Sequence, residues 1–390
     1  MKAMIKRSLL MGLMAATVFT SCQKDDEITT CESSGFTVPQ TYIYTDANGN
    51  STVSYNGQAQ RLEMLDEMTS YLKSANTPGT AVDAQTLKDM YANNGYTWAD
   101  ADTLGMTGSS KQLKNKTAAG SGTADPTVQA YYENLMDEVD ALSQTTTVDI
   151  TDGGPGQGGV VQSTTNSSKK YLQNANGIEY TQLIEKGLMG AVFYNQICVV
   201  YTGSGKMDVD NTTPVDPDNG KYYTVMEHHW DEAYGYFTTA RDYPDSGTNR
   251  FWGKYANSRE GILGTASALS EAFRTGRAAI AANDLDARDA QIAIIRYEME
   301  RVAGGTAIHY LNSAVANFGD DALRNHALSE AWAFMGALPF GYAPVINNAE
   351  LQALYETIGD DFYAVTTTTL LEVRDQLATL LNMEDDKESL

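Results

Sequence analysis

The chain contains four histidines, all in its second half and all in predicted helices that also carry acidic residues. In the segment MEHHWDEAYGYF, His229 and Glu232 stand three residues apart, and in HALSEAW, His326 and Glu330 stand four apart. Residues at these spacings share one face of a helix. Imidazole nitrogens and carboxylate oxygens together suit iron, zinc or manganese. Two such helices facing each other in a bundle would place both pairs around one divalent metal ion.

These residues also have a purely structural interpretation. A helical histidine among aromatic residues is often a hydrogen-bonded packing residue, and acids on a surface helix are often only solvated. His228 adjoins His229 and is a further candidate for ligand binding. The spacing is not H-E-x-x-H, so a thermolysin-type zinc protease is not supported. His309 shares a helical stripe with Glu298, but eleven residues span about 16 Å, so one ion cannot bind both.

A second group of candidates is basic. Arg274 and Arg277 stand in the small-residue segment FRTGRAAI of a strongly acidic protein. One interpretation is that they pair with inward-facing acids such as Glu232 or Glu298. The other is that they recognise an anionic ligand, since guanidinium groups bind carboxylate or phosphate through two hydrogen bonds.

Most long segments show a helical period of apolar residues, which predicts an all-α fold built as a helical bundle. The predicted helices cover residues 58–74, 83–92, 125–143, 181–201, 222–237, 259–282, 287–317, 322–335, 348–358 and 367–382. Asp125 followed by Pro126 is a favoured helix start. The segment 181–201 is strongly apolar and is predicted to be central.

Two stretches interrupt the helical series. Residues 145–168 are rich in Gly, Ser and Thr and predict a loop or a short hairpin, and residues 203–220 are rich in Asp, Asn and Pro. Each stretch could be a long loop between packed helices or a domain boundary. The second interpretation divides the helical domain, residues 41–385, into halves at 41–202 and 221–385.

The N-terminus predicts export and lipid anchoring. Residues 1–22 combine a positive start, a short apolar core and the ending Phe-Thr-Ser-Cys, which is typical of a lipoprotein signal peptide cleaved before Cys22. The alternative is an ordinary signal peptide with a chance cysteine. Residues 23–40 are polar and predict a flexible tether. Its first residues, QKDDE, resemble an acidic tag for the outer face of the outer membrane, or form a solvated linker.

The net charge and the cysteine content of the chain limit the kinds of partner and metal site that it can have. The 390 residues carry a formal charge of −23, and removal of the three positive charges in the signal peptide makes the balance more negative. Such a charge argues against nucleic-acid binding, which needs a basic surface. The remaining cysteines, Cys31 and Cys198, have no zinc-site spacing, and a disulfide between them is not needed in a chain of this size.

Seven segments together carry a family resemblance that covers nearly all of residues 40–385: YNGQAQRLEMLDEM, GYTWADADTLGM, KQLKNKTAAG, KGLMGAVFYNQI, MEHHWDEAYGYF, FRTGRAAI and HALSEAWAFM. They resemble an uncharacterised family of Bacteroidetes lipoproteins, domain of unknown function 4856. More distantly, His229 and Glu232 match the H-x-x-E motif of imelysin-like proteins, although the glycine that usually precedes that histidine is absent here. This resemblance implies two packed helical bundles in the cell envelope and a role in iron uptake.

The sequence therefore predicts an outer-membrane, lipid-anchored protein that binds a divalent metal ion, iron or zinc, or an iron-bearing ligand. His229, Glu232, His326 and Glu330 would be the metal ligands, with His228, Arg274, Arg277 and Glu298 around them. An alternative is a surface protein that binds glycan or peptide beside an outer-membrane transporter, using exposed Trp98, Trp230 or Trp252. A third is a hydrolase in which a metal-bound His/Glu pair activates water.

Overall fold

The computed structural model describes residues 35–99, 104–245, 247 and 249–390. The predictions for the signal peptide at 1–22, the lipidation site Cys22, Cys31 and most of the 23–40 tether lie outside these residues. The prediction of an all-α helical bundle is confirmed. One cluster of buried apolar side chains extends from Tyr42 to Leu390 and draws on both sides of the proposed division at 202–221.

Twelve helices are described within these residues. They are α1 (Asn56–Ser74), α2 (Ala84–Ala92), α3 (Pro126–Ser143), α4 (Tyr180–Tyr201), α5 (Ser204–Met207), α6 (Val225–Phe237), α7 (Phe251–Leu263), α8 (Thr265–Ala281), α9 (Leu285–Ala316), α10 (Asp321–Met335), α11 (Asn348–Ile358) and α12 (Thr367–Leu380). Helix α9 packs along α8, α10 and α12, while α4 packs against α3 and α10.

Two small antiparallel sheets occupy the stretches that interrupt the helices. Strands β1 (Gly159–Gln162) and β2 (Lys170–Gln173) form a hairpin, which accounts for part of the Gly/Ser/Thr-rich segment. Strands β3 (Pro214–Asp216) and β4 (Lys221–Thr224) pair within the Asp/Asn/Pro-rich segment. The helix predicted to begin at 222 therefore begins at Val225 instead.

Local side-chain chemistry sets several helix boundaries. The Asp125 carboxylate accepts a hydrogen bond from the Thr127 N–H, and Pro126 is the first residue of α3, as the sequence predicted. The predicted helix 259–282 is divided because Gly264 adopts φ +67°, a conformation that glycine tolerates and that ends α7.

Helix α4 is the central helix of the fold. After Leu188 its backbone changes from α to π geometry, first over Met189–Tyr194 and then over Gln196–Tyr201. It is the one described helix long and apolar enough to cross a membrane, and 89% of its most apolar stretch is buried by the surrounding helices. Because π turns are rare and often mark functional sites, the C-terminal end of α4 is a natural place to look for one.

Candidate functional site

The predicted pair His229 and Glu232 is formed on α6. Thr224 caps the helix: its hydroxyl accepts the Glu227 N–H, and the Glu227 carboxylate accepts the Thr224 N–H. One turn later, His229 Nδ1 lies 2.9 Å from Glu232 Oε2. The other oxygen of this carboxylate accepts hydrogen bonds from Gln58 Nε2 at 2.9 Å and the Tyr201 hydroxyl at 3.1 Å.

This hydrogen bonding fixes the role of Glu232. Burial alone would raise its pKa, but the hydrogen bonds from His229 and Gln58 outweigh burial and hold the pKa at about 2. An ionised carboxylate accepts the Nδ1–H of His229, so the lone pair of a neutral ring lies on Nε2. Carboxylates orient metal-binding histidines in this way. Glu232 is thus placed to orient His229, and Nε2 is the atom that could bind a metal ion or accept a proton.

His228 faces the N-terminal segment. Its Nδ1 lies 3.0 Å from the Ser54 carbonyl oxygen, and its ring stacks on Tyr223 with centroids 4.6 Å apart. Burial lowers the pKa of His228, so the ring is neutral at pH 7. These contacts give His228 a packing role.

The second predicted pair, His326 and Glu330 on α10, has different surroundings. His326 Nδ1 lies 2.6 Å from Glu179 Oε2, its Nε2 lies 3.5 Å from Glu330 Oε1, and its ring stacks on Tyr171 at 4.0 Å. Burial alone would lower the pKa of His326, but the charges of Glu179 and Glu330 outweigh burial and raise it. Both ring nitrogens of His326 face carboxylate oxygens, so neither is free to bind a metal ion.

The two pairs are not joined into one site. No hydrogen bond, ion pair or ring contact within the described ranges connects His229 or Glu232 to His326 or Glu330. Nor do any three His, Cys, Asp or Glu side chains in that part of the chain group closely enough to hold a metal ion. The predicted four-residue metal site is therefore not assembled in this structure.

A cavity of about 700 Å³ lies at the C-terminal end of α4, and sequence reasoning missed it. We call it the α4 cavity. Its walls come from residues 119–122, α4, α5, α9 and the loop after α10, and include Val199, Thr202, Lys206, Arg288, Arg296 and Tyr342. The signal in the sequence was the segment TGSGK together with two arginines on α9. These arginines are eight residues apart, which returns them to one side of that helix.

Arg296 lies in the wall of the α4 cavity. Its Nε donates to the Cys198 carbonyl at 3.0 Å, its Nη2 donates to the Thr202 carbonyl at 2.7 Å, and its guanidinium stacks on Tyr342 at 3.6 Å. Arg288 instead pairs with Asp289 at 2.7 Å. Lys206 lies over the ring of Tyr201 at 5.8 Å, the same tyrosine that donates to Glu232.

The sequence profile of the family described as "Domain of unknown function (DUF4856)" matches residues 39–382. The chain belongs to the DUF4856 family. No curated protein and no solved structure matches it.

In this DUF4856 domain, Arg277 is a buried ionic centre. Its side chain is 0% exposed and donates to Glu227 Oε1 at 2.6 Å, Asp231 Oδ1 at 3.0 Å and the Thr52 carbonyl at 3.1 Å. Asp231 also accepts hydrogen bonds from the Tyr42 hydroxyl at 2.8 Å and the Ser54 N–H at 3.0 Å. The acids that neutralise Arg277 are thus Glu227 and Asp231, and the cluster fastens the N-terminal segment to α6.

Arg274 and Glu298 have local partners in the DUF4856 domain. Arg274 Nη1 donates to the Pro39 carbonyl at 2.7 Å, and the Tyr44 hydroxyl donates to the Arg274 carbonyl. Glu298 pairs with Arg301 at 2.9 Å on the same helix. Neither Arg274 nor Arg277 contacts Glu232 or Glu298, and both arginines hold the N-terminal segment.

The three tryptophans that were to indicate a sugar-binding groove are buried. Trp98 is 2% exposed, and Trp230 and Trp252 are 0% exposed. The Trp230 indole donates to the Phe273 carbonyl and that of Trp252 donates to the Met189 carbonyl. Side chains enclosed in this way cannot stack on a sugar at the surface.

Proposed function

We propose that this DUF4856 protein is a lipid-anchored protein of the cell surface that binds a small anionic ligand in the α4 cavity, with a negatively charged iron chelate as the intended cargo. The compartment rests on the signal-peptide pattern ending at Cys22 and on the acidic residues that follow it. The ligand class rests on the charges of the cavity.

The α4 cavity has the size of a small-molecule site. Its volume of about 700 Å³ falls inside the range of roughly 300–1,000 Å³ that such sites occupy. It combines apolar walls from α4 with polar groups from Thr202, Ser204 and the α9 arginines. That mixture suits a compact polar ligand with an organic framework.

The single observation that carries the proposal is the uncompensated positive charge of this cavity. In a chain with 50 acidic and 27 basic residues, neither Lys206 nor Arg296 forms an ion pair with a carboxylate among the described residues, although Asp289 acts on Arg296 from a greater distance. The cavity acids, Asp208 and Asp289, lie beside Arg288 instead. A cation without an acid in an acidic protein can be neutralised by an anionic ligand.

Hydrogen bonding supports the same ligand class. Arg296 Nε and Nη2 donate to backbone carbonyls, and the guanidinium also interacts with the Tyr342 side chain. A guanidinium has five N–H donors, so donors remain for a ligand. A charged hydrogen bond contributes about 1.5–3 kcal/mol, so removal of the Arg296 side chain would weaken ligand binding by about 10- to 100-fold. In an anionic chelate the iron is already bound by the chelator, so the protein does not need three side chains of its own to bind the metal.

The test is isothermal titration calorimetry of the purified protein with ferric citrate, citrate alone and inorganic phosphate. We expect saturable binding of ferric citrate that is weakened by Arg296→Met and by Lys206→Met. The matched control is Lys254→Met, because Lys254 lies over Tyr255 at 5.7 Å as Lys206 lies over Tyr201, but outside the cavity.

The three titrations separate the sources of the anion. Binding of ferric citrate well above citrate alone would support the iron chelate as cargo, while equal binding would leave a carboxylate site without iron preference. No saturable binding of any of the three anions, or equal loss in the Lys254→Met control, would refute the proposal.

A second candidate is direct metal binding at His229, favoured by the Nδ1–Glu232 hydrogen bond that leaves Nε2 available. Titration with zinc or ferrous iron should show a site that His229→Ala removes and that the control His309→Ala retains. The predicted metal-dependent hydrolase would use the same Nε2 position. Retention of all bound metal by His229→Ala would eliminate this candidate.

A further inference from the structure

A second cavity, separate from the α4 cavity in all of its lining residues, lies between α3, the first half of α4, α10 and α11. Its volume is about 320 Å³, and its walls include Tyr131, Tyr132, Leu183, Trp332, Leu351 and Tyr355. We call it the aromatic cavity. None of the residues that line it is charged. A charged ligand would lose its solvation there without gaining an ion pair, so the cavity favours an uncharged ligand.

The aromatic walls are held rigidly. Trp332 and Tyr355 stack face to face, with centroids 3.7 Å apart and an interplanar angle of 2°. The Tyr355 hydroxyl donates to the Trp332 carbonyl at 2.8 Å, which fixes the ring of Tyr355. Across the cavity, Tyr131 and Tyr132 meet edge to face at 5.2 Å, and Tyr131 is 47% exposed. Flat, preformed aromatic walls favour a planar ligand.

Tyr132 supplies a hydroxyl donor to this cavity. Tyr132 is 3% exposed, and no hydrogen bond to its hydroxyl is found in the described residues. The hydroxyl lies against Gly187, where an added Cβ would come within 2.7 Å of it, and Gly187 also lines the cavity. Burial raises the pKa of Tyr132, so the group remains a protonated donor. Because Tyr132 lines the cavity, its hydroxyl is placed to donate a hydrogen bond to an acceptor on a ligand.

The volume limits the size of the ligand. An apolar cavity of about 150 Å³ holds one benzene molecule, and the aromatic cavity has about twice that volume. We propose that the aromatic cavity binds an uncharged, planar aromatic molecule of one or two rings, which stacks among Tyr131, Trp332 and Tyr355 and accepts a hydrogen bond from Tyr132.

The test compares quinoline, which has a ring nitrogen acceptor, with naphthalene, which has the same shape and no acceptor. Binding to the purified full-length protein is measured by ligand-observed NMR and by quenching of tryptophan fluorescence. In the unmodified protein we expect quinoline to bind more tightly than naphthalene. Tyr132→Phe should weaken quinoline about five- to tenfold, the size expected for one neutral hydrogen bond, and leave naphthalene unchanged.

Two cavity-filling variants and one control variant locate the site. Leu351→Trp places a large ring in the cavity from the half-buried α11 and should abolish binding of both ligands. Tyr297→Phe removes a hydroxyl from an exposed tyrosine elsewhere and should change neither. Circular dichroism and melting curves confirm that each variant is folded, and Ala333→Leu fills the same cavity from α10 if Leu351→Trp does not fold.

Three results would overturn the proposal. They are the absence of saturable quinoline binding, unchanged binding in a folded cavity-filling variant, and equal weakening of both ligands by Tyr132→Phe. Two results together would support the proposal: quinoline binding is lost in the filled cavity, and only Tyr132→Phe removes the preference for quinoline over naphthalene.

Discussion

Replacement of Arg277 by methionine would leave the carboxylates of Glu227 and Asp231 on α6 without their cation. Asp231 is 0% exposed and Glu227 is mostly buried, and both contact the guanidinium within 3.0 Å. Loss of one partner from a buried ion pair costs about 3–5 kcal/mol of unfolding free energy. Because Asp231 keeps its hydrogen bonds from Tyr42 and Ser54, we expect a loss near the lower end, about 3 kcal/mol.

The loss should depend on pH. Burial raises the pKa of Asp231 to about 6 even with Arg277 present, and removal of the cation would raise that pKa further. Below this pKa the carboxyl group takes up a proton and needs no counter-charge. Arg277→Met should therefore destabilise the protein less at pH 5 than at pH 8.

Urea unfolding at these two pH values measures the effect, and Arg301→Met is the matched control. Arg301 pairs with the mostly buried Glu298 and donates to the Leu263 carbonyl, but its own side chain is 21% exposed, so its loss should cost less than the loss of the fully buried Arg277. Hydrogen exchange at the Ser54 amide should accelerate in Arg277→Met alone. An Arg277→Met protein that is no less stable than Arg301→Met at pH 8 would refute the reasoning.

Three further predictions follow from the pKa values and the N-terminus. The folded-state pKa of Glu232 lies near 2, so the stability that its carboxylate contributes is complete above its ordinary pKa and is lost as the pH falls toward 2. Glu232→Gln should therefore remove up to about 3 kcal/mol of the acid sensitivity of folding. An unchanged acid titration by circular dichroism would contradict this. The raised pKa of His326 gives stability that is complete below about pH 6.5 and is lost as the pH rises through the raised value. His326→Gln should therefore reduce the change of the urea midpoint with pH between pH 6 and 9. An unaltered pH dependence of the midpoint would count against the ion pairs with Glu179 and Glu330. Cys22→Ala should abolish metabolic labelling with an alkyne fatty acid and release the protein from the membrane fraction, whereas retained labelling would exclude Cys22 as the anchor.

Local chemistry made much of the fold predictable. The Asp125–Pro126 helix start and the i, i+3 contact between His229 and Glu232 depend on residues close in the chain, and the structure has both. The break at Gly264 was missed because the apolar period continues through it, and only the left-handed backbone ends the helix.

Long-range packing was not predictable from the same signals. His326 meets Glu179, a residue 147 positions away, and Arg277 meets Thr52 across 225 positions. A helix period identifies which residues share a face but not which face meets which partner. For the same reason the two His/Glu pairs were predicted to converge, and the α4 cavity, assembled from four separated segments, was missed.

Binding of an anionic ligand in the α4 cavity through Arg296 and Lys206 is tested most directly by calorimetry. The quantity to measure is the dissociation constant of ferric citrate for the unmodified protein and for its variants. We predict saturable binding that weakens by about 10- to 100-fold in Arg296→Met and is unchanged in Lys254→Met. An identical dissociation constant in Arg296→Met and the unmodified protein would contradict the claim.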